Sequence, residues 1–252
     1  MIYLYAVLDG RIRQLPRRGI RGAPIRLVRC TGCCAAVEDV RSVSPVTPRS
    51  LRVHDRVVRG LCQRANAVAP MRFGMVLGDE RTLVDRVSQR APEIGRLLDL
   101  IRGREQMTLR VFVGESGRHS GTSSDLGTGC RVPGAACGGR ARSAPRTRHP
   151  EPSTRQAVGE GTRYLVSRAT GMKQLEGTLE KIRTALRGLV CAEQLEPHGD
   201  RRLLTSVYHL IPRGDSASYL AIAGDLGAAA RDIRIAISGP APCYAFAHGV
   251  RI

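Results

Sequence analysis

The side chains that could do chemistry fall into a few small groups. Cys30-x-x-Cys33-Cys34 has the spacing of half a zinc site, and Cys130 with Cys137 would have to supply the other half. Zinc sites favour a second short Cys or His pair, and this one is spread too widely within a segment of low complexity. The thiols therefore read as idle or buried groups in a reducing compartment, and no metal is expected. His54-Asp55 has the composition of an oriented general base. Neighbours on a helix point about 100° apart, however, so the pair reads as a helix start with Asp55 at the positive end of the dipole. His209 sits in Val207-Tyr-His-Leu-Ile211, an alternating stretch that suits a structural histidine. Gly127-Thr-Gly129 lacks the Lys-Ser/Thr and helix of a phosphate loop. Gly114-Glu-Ser116-Gly117 lacks the five-residue spacing of a nucleophile elbow. No catalytic constellation and no cofactor site emerges, so the chain is not expected to be an enzyme.

Composition narrows the classes that remain. In 252 residues, 42 % are apolar and 25 % charged, the balance of a globular protein with an ample core. No apolar run approaches the roughly 20 residues that span a bilayer. The opening Ile2 to Leu8 has no basic n-region and reaches Asp9 at once, so it reads as a strand and not a signal peptide. A cytoplasmic protein without membrane contact is the expectation. Net charge is +18, and Lys173 and Lys181 are the only lysines beside 38 arginines. That field favours anionic partners, and a basic nucleic-acid-binding module is the alternative reading. The arginines are dispersed, and with no Trp and three Phe the stacking platforms for single strands are scarce, so nucleic acid is the weaker reading.

Periodicity places these residues on elements. Ile2 to Leu8, 25–30 and 35–43 read as strands. Leu51, Val53, Val57, Val58, Leu61 and Ala65 fall at helical spacing over 49–66. Val68 to Leu77 returns to β character, Asp79 caps a helix to Gln89, and Glu93 to Ile101 continues after Pro92. Strand signals follow at 107–113, 191–196, 203–211 and 233–237, with helices from 164 to 189 and from Asp215 or Ser216. The fold class is α+β in two domains. Residues 1–103 form the first; residues 104–238 form the second, in ferredoxin-like β-α-β-β-α-β order. Residues 115–160, rich in Gly, Arg and Pro and poor in large apolar side chains, read as a flexible insertion in it. Residues 239–252 form a Pro-bracketed tail, expected to lie extended with Tyr244 and Phe246 facing one side.

Three segments stand out against this background: Ala69-Pro70-Met71-Arg72-Phe73-Gly74-Met75-Val76, then Gly103-Arg104-Glu105 before Leu109-Arg-Val111, and Ser238-Gly239-Pro240-Ala241-Pro242-Cys243-Tyr244-Ala245-Phe246. With Tyr3-Leu-Tyr5-Ala-Val and Gly19-Ile-Arg-Gly-Ala, they run in the order found in the GvpL/GvpF family of gas vesicle proteins, which the chain resembles except over 115–160. In that family's usual closing motif a Trp stands where this chain has Ala241, a Pro where it has Cys243 and a Ser where it has Ala245. The resemblance implies a non-enzymatic accessory or minor structural protein of the gas vesicle. Its implied partners are the small hydrophobic shell protein of the GvpA type and other gas vesicle accessory proteins. It points to Pro70, Arg72, Phe73, Gly74, Gly239, Pro240, Pro242, Tyr244 and Phe246 as partner-binding or fold-defining positions. Among them, Pro70 suits a strand entry, Gly74 a bulge or close approach, and Arg72 a carboxylate partner within the fold ahead of a partner-binding group.

Overall fold

Seven consecutive buried residues open the chain. Strand β1 (Ile2–Leu8) is covered on both faces, which a half-exposed strand with strict polar alternation could not be. Its register against β3 (Cys33–Asp39) shifts between Leu4 and Ala6. The alternation accordingly slips by one: Ile2, Leu4 and Val7 enter one core, and Tyr3, Tyr5, Ala6 and Leu8 the other. The computed structural model describes residues 1–113, 160–198, 203–228, 233–249 and 252, apart from positions 11, 13, 17 and 44. The insertion assigned to 115–160 therefore lies, except for its last residue, outside the described residues, as do Cys130 and Cys137.

The first sheet runs β2-β3-β1-β4, with β2 at Ile25–Cys30 and β4 at Val68–Pro70, and the short β5 (Val76–Leu77) also pairs with β1. All its pairings are antiparallel. Helix α1 (Pro48–Cys62) covers one face. Thr47 accepts from the Ser50 backbone N–H, the Ser50 hydroxyl returns to the Thr47 backbone, and Pro48 supplies a pre-set φ at the first turn. Its buried residues are Ser50, His54, Val57, Val58 and Leu61. That face is rotated from the expected one, since Leu51 is 42 % exposed. His54 thus lies in the middle of the helix, not at its start, and Asp55 pairs outward with Arg59 at 2.7 Å.

On the other face, α2 (Glu80–Gln89) starts at Asp79, whose carboxylate accepts from the Thr82 N–H at 2.7 Å, and α3 (Ala91–Ile101) follows. Leu83, Val87, Ile94, Leu97, Leu98 and Ile101 fill the core between these helices and the sheet. The expected strand over 68–77 is interrupted at 71–75, where Gly74 adopts φ +88°, a conformation open to glycine at little cost.

The second sheet runs β7-β8-β6-β9, antiparallel throughout: β6 is Arg104–Val113, β7 Ala192–Pro197, β8 Leu203–Pro212 and β9 Ile233–Ala241. Helix α4 (Glu160–Leu186) lies between β6 and β7 in sequence, and α5 (Ser216–Ala228) between β8 and β9. Both pack against one face, burying Met107, Leu109, Val111, Leu179, Ile182, Val207, Ile211 and Tyr219. The molecule is α+β with two antiparallel sheets. Among the described residues, no helix is long and apolar enough to cross a membrane.

The tail departs from expectation. Strand β9 carries Gly239 and Pro240 as far as Ala241, and residues Tyr244–Ala247 form a one-turn helix, α6. Proline at 240 and 242 bars a helix only locally, and the chain is free to turn once Pro242 is passed. On a helix, positions 244 and 246 diverge by about 200°. Tyr244 packs on the core beneath α1, while Phe246 packs on the core between the sheet and α3, so the two do not share a side.

Candidate functional site

Two neighbouring places gather the singled-out residues. The first is the loop 71–75. Met71 O accepts from His54 Nε2 at 3.2 Å, and because a carbonyl only accepts, that nitrogen carries the proton. His54 Nδ1 then accepts from the Tyr3 hydroxyl at 2.9 Å, and Tyr3 Oη accepts from the Gly74 N–H at 3.0 Å. The imidazole is neutral in this chain of bonds. Burial lowers its pKa, and the bond to Met71 opposes this only in part. Burial likewise pushes the Tyr3 phenol up to about 12, against the Gly74 N–H. Phe73 closes the cluster edge-on, its ring 6.1 Å from Tyr3 and 5.7 Å from His54.

A second buried network adjoins it. The Glu38 carboxylate, with 0 % exposure, has no cation among the described residues. It accepts instead from the Tyr5 hydroxyl at 2.6 Å and from the backbone N–H groups of Ile20, Arg21 and Ala23 at 2.7, 2.9 and 3.0 Å. Gly19 is required there: a Cβ would sit 2.1 Å from the carboxylate. Burial, and then the bond to Glu38, holds the Tyr5 hydroxyl protonated well beyond its ordinary range. Loop 19–23 and loop 71–75 are thus clamped onto adjacent tyrosines of β1.

The second place is where the tail meets both sheets. A Cβ on Gly239 would stand 2.6 Å from Met107 Sδ and 2.9 Å from the Gln106 carbonyl, so only glycine permits this approach, at the register shift between β9 and β6. Buried Gln106 accepts from the Ala245 N–H at 2.9 Å and anchors α6. Beside it opens a cavity of about 240 Å³. Its apolar floor includes Val68, Ile101 and Pro242, and Arg59, Arg104 and Arg213 line it with Glu105. Each guanidinium spends a donor on a backbone carbonyl: Arg59 on Pro240, Arg104 on Leu100 and Arg213 on Ala65. Burial raises the lining thiols, Cys62 to about 11 and Cys243 to about 12, so neither is a thiolate near neutrality.

The expected positions divide between these places. Pro70 is buried in β4, Phe73 and Gly74 belong to the tyrosine cluster, and Pro240 and Pro242 line the cavity. Helix α6 packs against β4 and α3, which brings Tyr244 and Phe246 near Pro70. Arg72 departs from its expected role: it is exposed and, among the described residues, has no carboxylate partner. Its charge instead adds to burial in lowering the pKa of His248.

Several members were not given these places from sequence. His54 stands four and three residues before Val58 and Val57, a signal of the apolar face that its polar type masked. Glu38 and Arg213 meet partners from distant elements and leave no local mark, and the signature segment at Arg104 gives no sign of the cavity it lines.

The second sheet carries its own network. His209, 1 % exposed, accepts at Nδ1 from the Tyr219 hydroxyl at 2.7 Å and donates from Nε2 to Glu193 at 2.9 Å. Arg183 closes on Glu193 at 2.7 Å. With Tyr219 and His209 buried, the relay joins α4, β7, β8 and α5.

The profile of the family described as gas vesicle synthesis protein GvpL/GvpF matches residues 1–248. Among solved structures, the gas vesicle protein GvpF from Anabaena sp. PCC7120 superposes with a TM-score of 0.67 over 98 % of this chain and 95 % of that one, at 14 % identity. GvpF from Microcystis aeruginosa gives the same TM-score and identity over 98 % of both chains. At such identity the likeness is one of fold. No curated protein matches the chain.

Proposed function

Because the chain belongs to the GvpL/GvpF family of gas vesicle synthesis proteins, we propose that it is a cytoplasmic, non-enzymatic assembly or minor structural protein of the gas vesicle. Its partner in this reading is the small hydrophobic shell protein of the GvpA type, alongside other gas vesicle accessory proteins. The observation that carries the reading is the family match along residues 1–248.

A β-rich subunit that polymerises needs its strands shielded or aligned beforehand, and strand addition to an open sheet edge does both. Strand β7 suits that task. Among the described residues it pairs with β8 alone, its last four residues are exposed, and Leu195 is 45 % exposed. At the opposite ends, β2 is flanked by α2 and β9 carries Pro240. We read the second sheet, with its order β7-β8-β6-β9, as the ferredoxin-like domain 104–238, the first sheet as the domain 1–103 and the motif residues of 239–252 as their seam.

Co-purification with the GvpA-type shell protein tests this. The full chain retains it, and Leu195→Pro or Leu195→Lys, at an unchanged urea midpoint, weakens retention at least about tenfold. Retention by both variants sinks the edge mechanism, and no retention by the unmodified chain sinks the partner. The net charge of +18 favours a second reading, nucleic-acid binding. It requires affinity for DNA or RNA that falls about a thousandfold or more between 50 and 200 mM salt.

A further inference from the structure

The Cys30-x-x-Cys33 pair has no part in the reading above. In the hairpin of β2 and β3 the two residues stand directly opposite each other across the turn Thr31-Gly32, where Gly32 adopts φ +72°. Opposed residues of an antiparallel pair have Cα atoms about 4.5–5.5 Å apart and side chains on one face. A disulfide spans about 4.4–6.8 Å between Cα atoms, a range that opposed residues meet. Both thiols are free; Cys33 is buried and Cys30 half-buried. Cys34, next along the strand, points to the other face, where its sulfur would meet a Cβ on Gly10 at 3.3 Å. Among the described residues, no group of three His, Cys, Asp or Glu could hold a metal ion.

We propose that Cys30 and Cys33 form a reversible thiol-oxidation site, which a peroxide converts to an intramolecular disulfide. Cys30 is the more exposed of the two and donates to the Val28 carbonyl at 3.8 Å, and the neighbouring Cys33 thiol lowers its pKa, with burial opposing. Cys30, open to the oxidant, is thus the attacking thiol and buried Cys33 the resolving one. The Cys30 sulfur attacks a peroxide oxygen, the O–O bond breaks, and sulfenic acid and hydroxide result. The Cys33 sulfur then attacks the sulfenic sulfur, the S–O bond breaks, and water leaves with the Cys33 proton. The two sulfurs together lose two electrons and the peroxide gains them. The ring closed is short, so global stability changes little, and the effect is local to the end of edge strand β2.

The test treats the full chain with hydrogen peroxide, alkylates the remaining thiols and maps them by peptide mass spectrometry. The expected result is a 30–33 disulfide, lighter by two hydrogens, that forms before other thiols react and is reversed by dithiothreitol. Cys30→Ser should slow oxidation of Cys33 at least about tenfold, and Cys34→Ser should leave the disulfide forming at its usual rate. Prior oxidation of exposed Cys191, a linkage between two chains, or a Cys30→Ser variant that oxidises as fast as the unmodified chain would each overturn the proposal.

Discussion

Each sheet holds a buried Tyr–His pair and a carboxylate, and the two are finished differently. In the first, His54 and Glu38 end on backbone: a carbonyl of loop 71–75 and three N–H groups of loop 19–23. In the second, His209 and Glu193 end on a guanidinium, Arg183 of α4. Backbone partners belong to loops, so the first network shapes the segments that carry the family's signature residues. Side-chain partners belong to elements, so the second fixes how α4, α5, β7 and β8 pack. The same residue types therefore set loop conformation in one half and the packing of helices on strands in the other.

Removing each carboxylate should separate the two most. Glu38→Ala leaves the Tyr5 hydroxyl and the amides of Arg21 and Ala23 without an acceptor in a dry site, while the Ile20 N–H keeps Tyr5 Oη, and about 3–5 kcal/mol of stability should be lost. Glu193→Ala should cost about 1–2 kcal/mol, because its side chain is 21 % exposed and water can serve Arg183 and His209. Urea midpoints measure both, and equal losses would break the distinction between a cradle of amides and an ion pair. The tyrosines sharpen it further. Tyr3→Phe removes two bonds, to Gly74 and His54, and should cost about 2 kcal/mol; Tyr219→Phe removes one and should cost about 1 kcal/mol. Proteolysis within 71–75 should rise in Tyr3→Phe alone.

How much of this was legible depends on distance along the chain. Asp79 announces its helix because a cap acts within four residues, and that helix starts where the residue puts it. The GvpL/GvpF signatures were legible as ordered words. The slip of β1 at Tyr5 was not, since a bulge depends on the partner strand. Nor was the bond from Tyr5 to Glu38, 33 residues away, or the meeting of Arg59, Arg104 and Arg213 around one cavity. The tail misled through its prolines, which mark where a helix cannot continue but leave the following turn free, as α6 shows. Arg72 misled through its surroundings, an apolar run that leaves its own side chain in solvent.

The smallest effect is the most diagnostic, because it reads the histidines themselves. Burial lowers both His54 and His209 below their ordinary 6.5, and for His209 the neighbouring Glu193 opposes the shift. Below pH 6.5 the unfolded chain binds protons that the folded chain refuses, so ν in the unfolded state exceeds ν in the folded state and stability rises with pH. The contribution is complete above pH 6.5 and is lost as pH falls through the folded values, by at most about 1.4 kcal/mol per pH unit for each histidine. His54→Gln should flatten this acid limb. Glu193→Gln should do the reverse: the amide oxygen still accepts from Nε2, but no negative charge remains to favour the imidazolium, so the loss runs on to lower pH. Glu193 itself titrates below its ordinary 4.5, since the bonds from Arg183 and His209 outweigh its burial, and so leaves the window from pH 7 to 5 to the histidines. Urea midpoints across that window decide the matter. An unchanged limb in Glu193→Gln would mean that its carboxylate does not stabilise a charged His209, and the second network would then be as indifferent to charge as the first.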